Sequence, residues 1–538
     1  MAEQRRTRVA ILCSSTHLPK WQGSALRHLV DMPDVELVAA GMLRGGQDGT
    51  GSPGLFGRLE RHALRLLCEQ AHLREDISEH VENAAVVDLG IRSDMGQGLE
   101  QLQAHRPDVV FSFIPLRPEL TRSSELPIWQ FIIGGQPLLD TGMPILGPHL
   151  FNDQRSATYL IGPGGNTCSG FDLPRAVRKG VPLIDPLLFA SAWLPTLVLK
   201  GASAKRTNTS ILDSLSSDDQ NSKIEYIKLI IRLELQRSLH KARTESEEGS
   251  WNIGVLYQPI TALLDAEPSL NVRWLPSPSA GNHRMEPFGY TASDGQLNVL
   301  YRKQSKERTY DTLARLRPKS DSVLKRSRSM LSTQANLEYP FVLERPDGAY
   351  AVISYPHQGR TELFKVAETN DGLDHVKILL NKAINSPTLT EHEGLWWLFG
   401  TDPEAPNNVL LAFHSERFDG PYTPHASNPI KMGSVGVRPA GTFFRRGNEL
   451  WRPSQDASNP DNMAVILNRV EELTPTTFHE TCGSRVAGFR GSVYGHGVRT
   501  LSAMGDITLI DGIRSANVPT AGTEKREHRK KRSSTASE

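Results

Sequence analysis

Three carboxylates and two strong hydrogen-bond donors mark the second half of the chain: Glu286, Glu338 and Asp456, with Arg438 and Gln455. Ionised carboxylates accept hydrogen bonds, whereas guanidinium and amide groups donate them. With an aromatic face to stack on, this mixture recognises sugar hydroxyls, and Trp396, Trp397 and Trp451 lie in the same half. Arg438 and Asp456 are linked by local sequence. RPAGTFF and WRPSQD form two strands joined by a turn at Arg446-Gly447-Asn448. A hairpin brings the start of its first strand, Arg438, to the same end as the close of its second, Asp456. A guanidinium there keeps nearby acids ionised, which favours hydroxyl binding over proton donation. Arg438 and Asp456 equally fit a structural ion pair.

Other chemistries find less support. Cys13, Cys68, Cys168 and Cys482 are scattered, without a Cys-x-x-Cys pair, so neither a zinc site nor a disulfide framework is expected. Reduced thiols in the cytoplasm are the plain reading. Lys and Arg number 61 against 60 Asp and Glu, which gives no field for nucleic acid. The Gly-Pro-Gly-Gly run at 162–165 lacks the Lys-Ser/Thr of a phosphate loop. Val181 to Leu199 has nearly the length of a membrane span, but Asp185, Pro182, Pro186 and Pro195 make it buried core.

The elements that must position these residues fall into two classes. Arg8 to Ser15, Trp21 to Val30 and Val35 to Ala40 read as strand, helix, strand. A helix-like insertion from Leu55 to Leu73 follows, then a strand at Val86 to Leu89 and a helix at Leu99 to His105. Asp108 to Ile114 is a near-continuous apolar strand, as in a parallel sheet covered on both faces. The span 1–204 is therefore α/β, with a crevice at the carboxyl ends of its strands. The span 205–249 holds a Ser-rich linker and then an amphipathic helix, whose Ile224, Ile227, Ile231 and Leu235 form one docking face. A membrane-surface role for that helix is opposed by the acidic TESEEG after it. From Trp251 the pattern is strands and turns, with Glu393-Gly394, Asp419-Gly420 and Gly447-Asn448 as turns and Lys303 to Gln334 as a long basic loop. Residues 516–538 form a disordered basic tail.

The amino-terminal half resembles the folate-dependent formyltransferase domain through RVAILCSS, LPKWQGSALRHL and HRPDVVFSFIP. The resemblance implies a Rossmann-type parallel sheet and an Asn, His and Asp set at its site. Here those positions fall on Gln130, Ile132 and Cys168. Isoleucine can neither donate a hydrogen bond nor move a proton, so the transfer chemistry is expected to be lost. No cofactor is expected, and a folate formyl donor only if this domain is active.

The second half resembles the five-bladed propeller at the amino end of plant glucosamine inositolphosphorylceramide transferases and, more remotely, glycoside hydrolase propellers. MEPFGY (285–290), LEYPFVLE (337–344), GRTELF (359–364), SPTLTEHEGLWWLFGT (386–401), RPAGTFFRRGNELWRPSQDAS (438–458) and RTLSAMGDITLIDGIR (499–514) carry the match. It implies an all-β five-bladed ring over 250–515, closed by Arg499 to Ile513, with inner-strand acids meeting at a central pocket. Glu286 takes the first blade's acid position, while Ser354-Tyr355 and Ser386 replace acids in the next two. Glu286, Glu338, Arg438, Gln455 and Asp456 then line the pocket, with His283 and His496 further out. The expected function is carbohydrate- or glycoconjugate-related, with a sugar-binding propeller. The alternatives are a non-catalytic interaction protein and an enzyme, either a sugar N-formyltransferase or a glycosidase- or glycosyltransferase-type protein using Glu286, Glu338 or Asp456.

Overall fold

A computed structural model of the chain describes residues 5–514 except 45–54, 92–93, 118–119, 121–123, 134–135, 139–142, 144–154, 164–167, 175, 179–180, 202–226, 229, 239–248, 266–269, 280, 306–310, 321–322, 332–336, 368–371, 459–462 and 490. The expected linker over 205–222, the tail from 516 and part of the Gly-Pro-Gly-Gly run lie outside the described residues. The chain forms two compact units, Met1–His240 and Lys241–Glu538.

In the first unit, five parallel strands lie in the order Ala85–Asp88, Val35–Met42, Thr7–Cys13, Val109–Ser112 and Ile128–Ile133. Arg155–Ile161 and Cys168–Pro174 extend this sheet in antiparallel fashion, so it is mixed. The central strands are apolar on both sides because both faces are covered. On one, Leu99 and Leu102 of the helix Gly96–Ala104 pack on Ala10, Leu12 and Val110. On the other, Trp21 of the helix Lys20–Val30 meets Phe131 edge-on, with ring centroids 5.1 Å apart.

Val181 to Leu199 breaks into the strand Val181–Leu183 and the helices Asp185–Ser191 and Leu194–Leu199. No helix among the described residues is long and apolar enough to cross a membrane. The Asp185 carboxylate accepts the backbone N–H of Gln70 at 3.1 Å and of Ala71 at 2.6 Å, and the Cys68 thiol at 3.0 Å. It caps the chain leaving the helix Leu55–Leu67, which explains a carboxylate in an apolar run.

The helix expected over 223–243 is described at 227–228 and 230–238, the rest of that span, Ile224 included, lying outside the described residues, and its faces are reversed. Ile227, Ile231 and Leu235 are exposed, and Leu233 is buried. Periodicity found the helix; which of its two apolar sides docks was set by the partner surface. Glu234 pairs with His62 at 3.2 Å.

The second unit is a five-bladed propeller. Its blades start, from the axis outward, with the inner strands Asn282–Thr291, Phe341–Arg345, Asn385–His392, Val435–Pro439 and Val498–Met504. The fifth blade closes the ring. Its strand Ile507–Ile513 pairs with Trp251–Leu256 from the start of the unit, so both ends of the propeller share one sheet. The expected loop over 303–334 instead supplies Thr312–Ser320 and Val323–Leu331, the outer strands of the first blade. An outermost strand pairs on one side only, so a run of Lys, Arg and Ser carries no apolar signal of it.

Glu286, Tyr339 and Ser386 have positive φ angles of 55°, 54° and 52°, and each precedes a proline. That conformation costs about 1–3 kcal/mol per residue unless the surroundings enforce it. Here it recurs in the first three blades, within or just before the inner strand, beside bulges at Met285/Phe288 and Asn385/Thr388. Bulges re-aim side chains, and these kinked starts carry the residues that gather at one end of the axis.

Candidate functional site

The inner strands and the residues beside them carry a network of charged groups. The Arg438 guanidinium donates to Glu338 at 2.9 Å and to the Ser386 hydroxyl at 2.9 Å. Arg302, from the second strand of the first blade, bridges Glu286 and Glu338, both at 3.3 Å, and pairs with Asp311 at 2.9 Å. Arg499 lies 3.4 Å from Glu286. Below this layer, the Tyr339 backbone N–H donates to Glu286 at 2.7 Å. The Tyr339 phenol accepts the Gly441 N–H at 2.6 Å and the Thr388 hydroxyl at 3.2 Å. Tyr339 is fully buried and joins the second blade to the third and fourth. Gly441 has φ 137°, and a Cβ there would lie 1.7 Å from the Leu501 carbonyl, so only glycine fits.

Exposure divides the acids by role. Glu286 is completely buried, whereas the Glu338 side chain is 37% exposed. Burial alone would raise the Glu338 carboxyl, but Arg438, then Arg302 and Arg499, outweigh it and hold it down at about 2. Glu338 is therefore ionised, an acceptor and not a proton donor. Asp511 goes the other way. Burial raises it to about 6, against the backbone N–H of Glu286 and the charge of Arg499, which lower it. Asp311 is raised as well, burial again being the main cause. Both are buried, so the acids with raised pKa do not reach the opening. Burial and the neighbouring Arg302 and Arg438, partly offset by Glu286, lower Arg499.

The sequence-predicted residues divide accordingly. Glu286, Glu338 and Arg438 come together. Gln455 lies at the margin, its amide 3.5 Å from the Arg499 carbonyl. Asp456 does not join Arg438: it accepts from Arg485 at 2.8 Å and from the Ser458 N–H at 3.1 Å. The hairpin register explains this, because Asp456 stands opposite Val435, whereas Pro439, next to Arg438, faces Ser454. Ser354 serves the backbone of its blade, accepting the Ile384 N–H at 3.1 Å. The tryptophans pack. Trp397 is core, Trp451 stacks on Phe444, and Arg345 lies over Trp396 at 5.1 Å. His283 accepts the Trp251 N–H at 3.2 Å, and His496 is exposed outside the network. Arg302, Asp311, Tyr339, Arg499 and Asp511 were missed. One signal was available for Tyr339: Glu-Pro-Phe, Tyr-Pro-Phe, Ser-Pro-Thr and Arg-Pro-Ala recur once per blade at 286, 339, 386 and 438.

Residues 278–488 match the family model described as glucosamine inositolphosphorylceramide transferase 1, N-terminal. The transferase of that name from Oryza sativa subsp. japonica is 28% identical over 206 residues, 36% of this chain and 27% of the relative. The one from Arabidopsis thaliana is 25% identical over 308 residues, 50% of this chain and 40% of the relative. The chain thus spans less than half the length of the curated relatives it matches. Among solved structures, a thermostable family-43 glycoside hydrolase aligns with TM-score 0.32 and 14% identity over 40% of this chain and 83% of that one. The exo-beta-1,3-galactanase from Phanerochaete chrysosporium with galactose aligns with TM-score 0.33 and 11% identity over 40% and 54%. The five-bladed assignment itself rests on the strand pairing above. The matched region holds Glu286, Arg302, Glu338 and Arg438, while Arg499 and Asp511 follow it.

Elsewhere in the propeller, Leu256, Tyr257, Gln258, Asn271 and Arg273 line a shallow cavity of about 360 Å³, formed by residues of the fifth blade's outer edge and not by the network. No group of three or more metal-ligating side chains occurs among the described residues. In the first unit, Gln130 and Cys168 both stand in register with Ile161, one on each side, and Ile132 follows two residues on. The Gln130 side-chain carbonyl accepts the Leu116 N–H at 3.2 Å, and Ile132 is buried.

Proposed function

We propose that the propeller is a glycoconjugate-binding module that holds sugar hydroxyls at the mouth of its central channel. The observation that carries this reading is Glu338, partly exposed and kept ionised between Arg438 and Arg302. Glu338 accepts from ligand hydroxyls, while Arg438 and Arg499 donate to ring and hydroxyl oxygens. The match of residues 278–488 to a transferase named for a glycosylated ceramide supports the ligand class. Hydrolysis is disfavoured. It needs one carboxylic acid with a raised pKa facing the substrate beside a second carboxylate, and Glu286 is sealed beneath the surface.

Full-length chain on a glycan array, followed by calorimetry on the hits, tests this. Arg438→Ala should lower affinity by about 1.5–3 kcal/mol, the range for a hydrogen bond to a charged group, with an unchanged circular dichroism spectrum. Glu338→Gln should also weaken binding. If Arg438→Ala unfolds the unit without ligand, Arg438 is a structural partner and the site assignment fails. The rival reading is a scaffold, favoured by the buried Tyr339, whose phenol ties the second blade to the third and fourth. An array without hits would establish it.

We infer that the first unit is a formyltransferase-like sheet that has lost its chemistry at Gln130, Ile132 and Cys168. A formyl-transfer assay with a folate donor and amino-sugar acceptors should give no turnover. Turnover that survives Gln130→Ala would show that these positions are not the site.

A further inference from the structure

We propose that the helix described at 227–228 and 230–238 is a membrane-docking element whose occupant is the surface of an anionic bilayer. Residues four apart on a helix form one row, and Ile227, Ile231 and Leu235 are such a row, exposed by 44%, 55% and 58%. Single exposed aliphatic side chains are ordinary, whereas a contiguous row of three marks an interaction surface. Each residue advances the helix by about 100°, so Lys228 and Arg232, which directly follow Ile227 and Ile231, line one flank of the row. Both are exposed, as is Arg237. On the other flank Glu234 is tied to His62 at 3.2 Å. Leu233, 1% exposed, anchors the opposite side.

The helix is thus held by its buried side and presents an apolar row edged by cations. That arrangement fits a helix lying in the interfacial plane, with aliphatic side chains among the acyl chains and Lys228 and Arg232 at lipid phosphates. The cationic edge selects an anionic bilayer over a purely apolar groove, because a basic residue near an anionic surface strengthens binding by about five-fold. Within 227–238 three cations, Lys228, Arg232 and Arg237, stand against one acid, Glu234, and this outweighs the acidic TESEEG at 244–249, which lies beyond the helix residues in sequence. The inference stands on this helix and not on the ligand of the propeller.

Flotation of the full chain with phosphatidylcholine vesicles, with and without phosphatidylserine, tests it. Binding is expected to the anionic vesicles and to fall with added salt. Arg232→Ala should weaken it by about five-fold. Ile231→Asp with Leu235→Asp should weaken it by more than about ten-fold, since two aliphatic side chains no longer leave water. Both positions are exposed, so the melting temperature should stay unchanged. A chain ending before Thr523 must keep the binding. If binding depends on that basic tail and ignores the Ile231/Leu235 change, the proposal is wrong. If the double change only turns a dimer into a monomer, a second copy of the chain covers the row and the bilayer does not.

Discussion

Arg452→Ala should destabilise the propeller by about 3–5 kcal/mol, the range for breaking a buried ion pair from one side. For a unit of this size that lowers the melting temperature by roughly 6–20 °C. Arg452 is completely buried in the fourth blade, and its guanidinium holds Glu480 through contacts of 2.8 and 2.6 Å. Lys431 reaches the same carboxylate at 2.7 Å. Burial pushes the Glu480 carboxyl up, but Arg452 and then Lys431 hold it below its ordinary range. Removing Arg452 leaves a buried carboxylate with one cation and a void. The double change Arg452→Met with Glu480→Leu should recover much of the loss, because it removes both charges and keeps the volume. Arg452 also bonds the carbonyls of Gly436 and Val437, the two residues before Arg438. Binding at the proposed sugar site should therefore weaken even at temperatures where the variant stays folded. Urea unfolding decides the matter: a loss below about 1 kcal/mol for Arg452→Ala would mean that Lys431 and water suffice for Glu480.

The second large effect is expected at Asp511. Its carboxylate accepts the backbone N–H of Glu286 at 2.8 Å from the first blade, and those of Arg499 at 3.2 Å and Thr500 at 2.6 Å from the fifth. It is the clasp where the last blade meets the first. Asp511→Ala leaves three buried donors without their acceptor, at about 1–3 kcal/mol each. Relief of a buried charge offsets part of that, so a net loss of about 3–5 kcal/mol is expected near neutral pH.

The pH dependence has a definite sign. Burial raises Asp511 in the folded protein to about 6, from an ordinary 3.8. Between these values the folded state binds more protons than the unfolded chain, so stability falls as pH rises through the window, by on the order of 3 kcal/mol. Glu338 acts oppositely and lower. Held at about 2 by Arg438, Arg302 and Arg499 against its burial, it contributes stability above its ordinary 4.5 that is lost as pH falls towards 2. That contribution is screened by solvent and is the smaller of the two. Stability of the propeller should therefore peak at mildly acidic pH. Asp511→Asn should abolish the decline between pH 4 and 6 while leaving the acid limb. A variant that declined as the parent does would assign the titration to another group.

Much of the architecture is legible in the sequence because its signals are local. Apolar runs at 9–13 and 109–114 announce strands covered on both faces, and both lie at the centre of the mixed sheet. Glu393-Gly394 takes the two positive φ angles that its tight turn requires. The aromatic strand at 395–401 is the second strand of the third blade. Even ring closure by 499–513 follows from a strand pattern. Glu286, Glu338 and Arg438 were identifiable because the resemblance to propeller families rests on motifs that hold them, each within two residues of a proline.

The network was not legible as a whole, because the links that complete it join residues that only the closed ring brings together. Glu286 meets Asp511, and Glu338 meets Arg438, across blade boundaries. A hairpin register, not proximity in sequence, sends Asp456 to Arg485 instead of Arg438. The sequence likewise marks two apolar sides on the helix at 230–238, but burial is a property of the surface it meets, and that surface takes Leu233. Residue type and spacing determined which groups could bind a sugar. Tertiary structure decided that Glu286 is sealed, that Tyr339 ties three blades together, and that Glu338 is the carboxylate of the network left facing water, because charge and exposure are set by neighbours distant in the chain.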